Sequence, residues 1–136
     1  MTLDLHATSA EVMRAVESLQ ALGEAVRIPN KILCGLTLAL EECASNIVNH
    51  GLQCDARQTF RVIFEHSARK LVIELRDPGP PFDPTRVPAP AADAHDERPP
   101  GGWGILLVRR YVDEMHYSRE GGENVLRLTK NLGDPP

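Results

Sequence analysis

Between Pro78 and Pro100 the chain carries eight of its eleven prolines, interleaved with alanines, acids and His95. No other stretch limits the fold so strongly. Proline fixes φ and has no N–H to donate, so neither a helix interior nor a central strand can run through this block. A segment of this length without a secondary-structure pattern is usually a functional lid or disordered, and its plainer reading is a linker between two domains. As a linker it would leave roughly 35 residues behind it, too few for a second core. The 136 residues therefore read as a single domain, 1–136, with one long loop over about 78–101.

The flanking segments carry clear periodicity. Thr2-Leu3-Asp4-Leu5-His6-Ala7 alternates as a half-buried strand does. Thr8-Ser9-Ala10-Glu11 matches a capping box, and Val12, Val16, Leu19, Leu22 and Val26 continue it as a helix over about 9–26. Pro29-Asn30 opens a second helix, on which Leu33, Leu36, Leu40, Cys43 and Ile47 form one apolar face, with Gly51 as its stop. Phe60, Val62 and Phe64, then Leu71, Ile73 and Leu75, mark two strands joined by Ser67-Ala68-Arg69. After the prolines, Ile105, Val108, Val112 and Met115 mark a third helix. Residues 115–119 and 124–130 then form a hairpin through Glu120-Gly121-Gly122-Glu123. The expected class is α/β, with helices on one face of a mixed sheet.

Charge and cysteine usage narrow the partners. A net charge of −4 argues against a protein that binds nucleic acid by neutralising phosphates. Cys34, Cys43 and Cys54 are odd in number and form no C-x-x-C pair, which suits a reducing compartment better than a disulfide framework or a zinc site. Cys43 falls on the apolar helix face and reads as core filling. No apolar run reaches the length of a membrane span, and no signal peptide is evident. A cytoplasmic protein with neither nucleic acid nor membrane as partner is expected.

Three stretches carry candidate chemistry. Gly101-Gly102-Trp103-Gly104 precedes an apolar helix, and bare N–H groups at a helix start attract an anion. Asp77-Pro78-Gly79 follows a strand, and Glu42 and Asn46 lie one turn apart on a helix flank with Asn49. Each has a plainer reading by itself: a tight turn, a solvated flank, a cation at a helix end for His50, a packing residue for Trp103. In order along one chain they supply what ATP needs. Asp77 can accept from the adenine amine, and Gly79 lets the base approach. Gly102 and Gly104 would cradle phosphates, Asn46 offers an oxygen to magnesium, and Glu42 is placed as a base.

The same stretches resemble a known family. Residues 40–51, LEECASNIVNHG, are similar to the N box of the gyrase and histidine-kinase ATPase superfamily. DPGPPFDP at 77–84 resembles its adenine-binding G1 box, and GWGILL at 102–107 its G2 box. The short length and the form GGWGILLVRRYVDE resemble one branch, the anti-sigma-factor serine/threonine kinases, over nearly the whole chain.

That resemblance implies a two-layer α/β sandwich of the Bergerat type, with a mixed, mostly antiparallel sheet and helices on one face. It implies ATP and Mg2+ as ligands and the prolines as an ATP lid. Glu42 takes the general-base position, Asn46 the magnesium position and Asp77 the adenine position. Asn49, His50, Gly79, Phe82, Gly102, Gly104, Ile105 and Leu107 border the nucleotide, and Thr129 supports adenine through Asp77. Members of the branch bind a sigma factor as homodimers and phosphorylate a serine on an anti-anti-sigma protein. The lid here departs from the pattern in its proline and alanine content, with Arg86 and Arg98 as its only cations. No G-x-x-x-x-G-K occurs, which excludes a P-loop enzyme. Two rivals remain: a partner-sequestering module that holds ATP as a structural ligand, and a detached histidine-kinase-type ATP-binding domain. Glu42 favours the kinase, since a mere binder has no use for a base there.

Overall fold

The computed structural model describes residues 1–86 and 102–133. Most of the lid segment, including Arg98 and Gly101, lies outside the described residues.

Strand β1 (Thr2–His6) runs into helix α1 (Ser9–Ala25). Thr8 caps the helix, its hydroxyl accepting the Glu11 N–H at 3.2 Å. The Glu11 carboxylate reaches past Thr8 to the His6 N–H at 3.3 Å, so the box closes on the end of β1 instead of on the cap residue itself. Helix α2 (Asn30–Asn46) buries Leu33, Leu36, Leu40 and Cys43, the face set by the 3-4-3 spacing. It does not run on to Gly51 as an α-helix. The backbone widens into a π-helical turn over Ile47–Gly51, closed by Leu52 N–H on the Ile47 carbonyl at 2.8 Å. Such turns are frequent at functional sites.

Strands β2 (Thr59–His66) and β3 (Lys70–Asp77) follow, then helix α3 (Gly102–Tyr111), β4 (Glu114–Glu120) and β5 (Glu123–Asn131). The sheet order is β1-β2-β3-β5-β4. All four pairings are antiparallel, so the sheet is wholly antiparallel and not mixed. Met115 lies on β4 opposite Leu128, not on the third helix. The helix closes with Val112 N–H on the Val108 carbonyl, and Asp113 N–H already bonds Thr129 at 2.8 Å, which hands the chain to the sheet. Gly121 and Gly122 both have positive φ, as a two-residue hairpin turn of this hand requires.

One core holds the layers together. Leu5, Phe60, Val62, Phe64, Leu71, Ile73, Leu75, Leu126 and Leu128 meet the apolar faces of the helices. Burying a side chain of this size stabilises the fold by roughly 1.5–3 kcal/mol. On the opposite sheet face, alternation alone would leave Glu74 in solvent, but it is buried. Arg76 and Arg127 cover it, at 2.9 Å and 2.8 Å from its two oxygens. Burial would raise the Glu74 pKa, yet the two guanidinium groups outweigh it and hold the carboxyl below its ordinary range.

Two close approaches fix α3 against α2. Gly35 abuts the Tyr111 side chain, and Gly104 abuts Glu42. On each helix the two contact positions are seven residues apart, about two turns or ~10 Å, so the helices run antiparallel and in register. This packing brings the start of α3 to the end of α2, and the π-turn that follows α2 carries Gly51 to the edge of Asp77.

Candidate nucleotide-binding site

Asp77 ends β3 in the inward-facing phase of Leu71, Ile73 and Leu75, but carries a carboxylate where they carry apolar groups. It is 6% exposed. Its Oδ1 accepts from the Gly79 N–H at 2.9 Å and from Asn124 Nδ2 at 3.1 Å. Among the described residues nothing donates to Oδ2. Burial pushes the Asp77 pKa up, and the bonds from Asn124 and Gly79 and the charge of Arg119 only partly offset this. A buried acceptor left open in this way fits a ligand amine. A Cβ at Gly79 would stand 2.8 Å from Asp77 Oδ1 and 3.1 Å from the Gly51 carbonyl oxygen. Glycine at 79 therefore lets the turn after β3 press against the end of the π-turn.

Asn124 was not singled out by the sequence, yet it organises this corner. It faces Asp77 across β3 and β5. Thr129, expected to support Asp77, does not reach it. Thr129 pairs with Val72, five rungs along the ladder, or about 17 Å at ~3.4 Å per residue. It also sits on the opposite sheet face, because five is odd. The signal that could have found Asn124 is its phase. With the hairpin turn at Gly121-Gly122, residues 124, 126 and 128 point inward, and an amide there is out of place among leucines.

Glu42 and Asn46 are both half-buried on the last turns of α2. A methyl group at Gly104 would overlap the Glu42 carboxyl group, so this carboxyl lies directly on the first turn of α3. Burial raises the Glu42 pKa, the neighbouring Glu41 raises it further, and His50 opposes both. His50 and Asn49 lie exposed on the π-turn, with the Asn49 amide oxygen taking the Cys54 thiol at 3.4 Å. The Asn46 amide has no hydrogen bond to another described residue. Gly102 opens α3, and Ile105 is buried on its inner side, while Leu107 is 44% exposed. Phe82 is 53% exposed, its backbone N–H tied to Asn124 Oδ1 at 3.2 Å. Arg86 sits 3.5 Å from Asp83 at the lid's root, with the arginine exposed and the carboxylate half-buried.

The residues fit Mg-ATP. Asp77 Oδ2 is an open acceptor of the kind an adenine amine needs. Among the described residues no cluster of three or more His, Cys, Asp or Glu could hold a metal. Magnesium needs none, since it keeps most of its water and takes one or two protein oxygens beside phosphate. The free amide oxygen of Asn46 meets that demand.

Residues 5–130 match the model of the histidine kinase-like ATPase domain, and the chain belongs to that family. ATP binding follows at the level of the family. Over 131 residues the chain is 28% identical to the serine/threonine-protein kinase BtrW of Bordetella bronchiseptica, covering 96% of this chain and 92% of that protein. It resembles the solved RsbU and RsbW domains of Rv1364c from Mycobacterium tuberculosis with a TM-score of 0.65 at 16% identity, over 99% of this chain and 33% of that one. A histidine kinase domain from Erythrobacter litoralis superposes with a TM-score of 0.57 at 15% identity, over 91% and 60%. The two structural likenesses bear on the fold. Among the described residues no helix is long and apolar enough to cross a membrane.

Proposed function

We propose that this chain is a protein kinase that transfers the γ-phosphoryl group of ATP to a serine hydroxyl of a partner protein, with Glu42 as general base. The observation that carries the reading is the Glu42 carboxyl group packed on the first turn of α3, one helical turn from Asn46. A base must stand where the nucleophile meets the phosphate, and the start of a helix is where phosphate is held. Glu42 takes the proton of the serine hydroxyl as that oxygen bonds the γ-phosphorus. The bond from phosphorus to the β–γ bridging oxygen breaks, and ADP leaves. Asp77 selects and orients the base of the nucleotide through Oδ2. Asn46 would hold magnesium, which would supply charge neutralisation at the phosphate oxygens.

The box sequences and the kinase name of the Bordetella relative support a place among anti-sigma-factor kinases. On that reading the chain is a cytoplasmic homodimer that binds a sigma factor, and its phosphoacceptor is an anti-anti-sigma protein. The test is incubation with γ-labelled ATP and the candidate anti-anti-sigma protein. Label on one serine of that protein is the expected result. A tight complex with no transferred label would favour the sequestering module.

A further inference from the structure

Asn124 spends its whole side chain on the corner that holds Asp77. Its Nδ2 donates to Asp77 Oδ1 at 3.1 Å, to the Pro80 carbonyl at 2.9 Å and, more weakly, to the Gly79 carbonyl at 3.4 Å. Its Oδ1 accepts from the Phe82 N–H at 3.2 Å and the Tyr117 hydroxyl at 2.5 Å. The amide can stand only this way round. Flipped, it would set an oxygen against a carboxylate and two carbonyls, and an NH2 against the Phe82 N–H.

An amide buried to 6% exposure in a leucine phase is costly unless every bond is made. Here the bonds are made, and none of them reaches the helical layer. All but the Tyr117 bond go to residues 77–82. Aspartate could not replace it, because the three acceptors need a donor, and a serine or alanine would be too short to span both sides.

We infer that Asn124 is a positioning residue for nucleotide selection: it commits one oxygen of Asp77 and fixes the 79–82 backbone beside it, so that the other oxygen meets adenine in one geometry. The inference rests on the reading of Asp77 as the adenine acceptor. With Oδ1 held by Gly79 and Asn124, the carboxylate plane is set and Oδ2 has one direction. The Gly79 carbonyl, held also by Arg119 at 2.7 Å, fixes the spacing between that oxygen and the backbone wall. Guanine presents an acceptor where adenine presents its amine, so an Asp77 of fixed orientation rejects it, and a loosened Asp77 rejects it less.

The test is a double-mutant cycle on nucleotide affinity, by calorimetry with Mg-ATP and Mg-GTP. Asn124→Ala is expected to weaken ATP roughly 10-fold or more, as for the loss of a bond to a charged group, and to weaken GTP much less, so selectivity falls. In an Asp77→Asn background the same change should weaken ATP by less than about 3-fold, because the two residues act as one unit. Tyr117→Phe, which leaves the Asp77 bond intact, should stay within about 3-fold of wild type. If Asn124→Ala does not melt cooperatively, Asn124→Leu replaces it in the cycle, keeping the side-chain shape in the leucine phase of β5 while removing the donor. Equal losses in both backgrounds, or equal losses for ATP and GTP, would overturn the inference and leave Asn124 a purely structural residue. If Asp77→Asn alone binds ATP as wild type does, the adenine assignment itself fails, and the role of Asn124 fails with it.

Discussion

The backbone of Gly104 lies so close to the Glu42 carboxyl group that even a methyl group at 104 would overlap it. The contact joins the end of α2 to the start of α3 and matches the Gly35–Tyr111 contact two turns away. The glycine that the sequence assigns to cradling phosphate thus also makes room for the proposed base.

Gly104→Ala must push the Glu42 carboxyl group aside and should destabilise the protein by only about 1 kcal/mol, the low end for overpacking, because the end of a flexible side chain gives way. Glu42→Ala removes the obstructing atoms, so in that background Gly104→Ala should cost much less. Urea denaturation of the two single variants and the double variant measures this coupling. Strictly additive losses would show that the two residues do not share that space.

Asp77 carries a second expectation, with opposite signs for binding and stability. Its pKa is raised in the folded state, mainly by burial. The native protein then holds more protons than the unfolded chain once the pH passes the ordinary value of 3.8, and stability falls as pH rises through the raised pKa. Asp77→Asn keeps the shape and removes that charge. At neutral pH it should be at least as stable as wild type, with the advantage vanishing below about pH 3.8. Its ATP affinity should nevertheless drop about 10- to 150-fold, since an amide replaces the acceptor. Denaturation curves across pH and calorimetry at neutral pH check both halves. A variant that is less stable and binds ATP normally would refute both.

The sequence carries the elements and the first half of the site because these are local properties. Glu42 and Asn46 share a flank by helical spacing, and Asp77-Pro78-Gly79 is read directly. What it hides depends on register and packing. Asn124 meets Asp77 across 47 positions of chain, a pairing set by the Gly121-Gly122 turn and the antiparallel ladder. The resemblance pointed to Thr129, and the odd count of five residues from Asn124 puts that residue on the other face. The π-turn at Ile47–Gly51 leaves no trace in apolar spacing, since it alters the backbone only over its last turn. Glu74 is buried by two arginines that no alternation pattern could pair with it in advance.

The proposed base has a pH signature. Burial first, and then Glu41, raise the Glu42 pKa above its ordinary 4.5, while His50 opposes them. Phosphoryl transfer under single-turnover conditions should rise with pH as Glu42 ionises, with an apparent pKa above 4.5. Glu41→Gln should move this limb to lower pH, and His50→Ala should move it to higher pH. A pH series on the three proteins reads these shifts. Movement of both variants in one direction would contradict the assignment of Glu42 to the limb.

The most direct test of the account compares Glu42→Ala with Asn46→Ala, which sit one turn apart and are assigned different tasks. Glu42 acts on the incoming hydroxyl and not on ATP. Its loss should leave Mg-ATP affinity nearly intact and slow transfer by about 10²–10⁴-fold. Loss of Asn46 removes a magnesium ligand, so both Mg-dependent affinity and transfer should fall. The deciding measurement is single-turnover transfer to the partner's serine by the Glu42→Ala protein, with nucleotide titration alongside. The account predicts normal binding with transfer nearly abolished; transfer at the wild-type rate would contradict it.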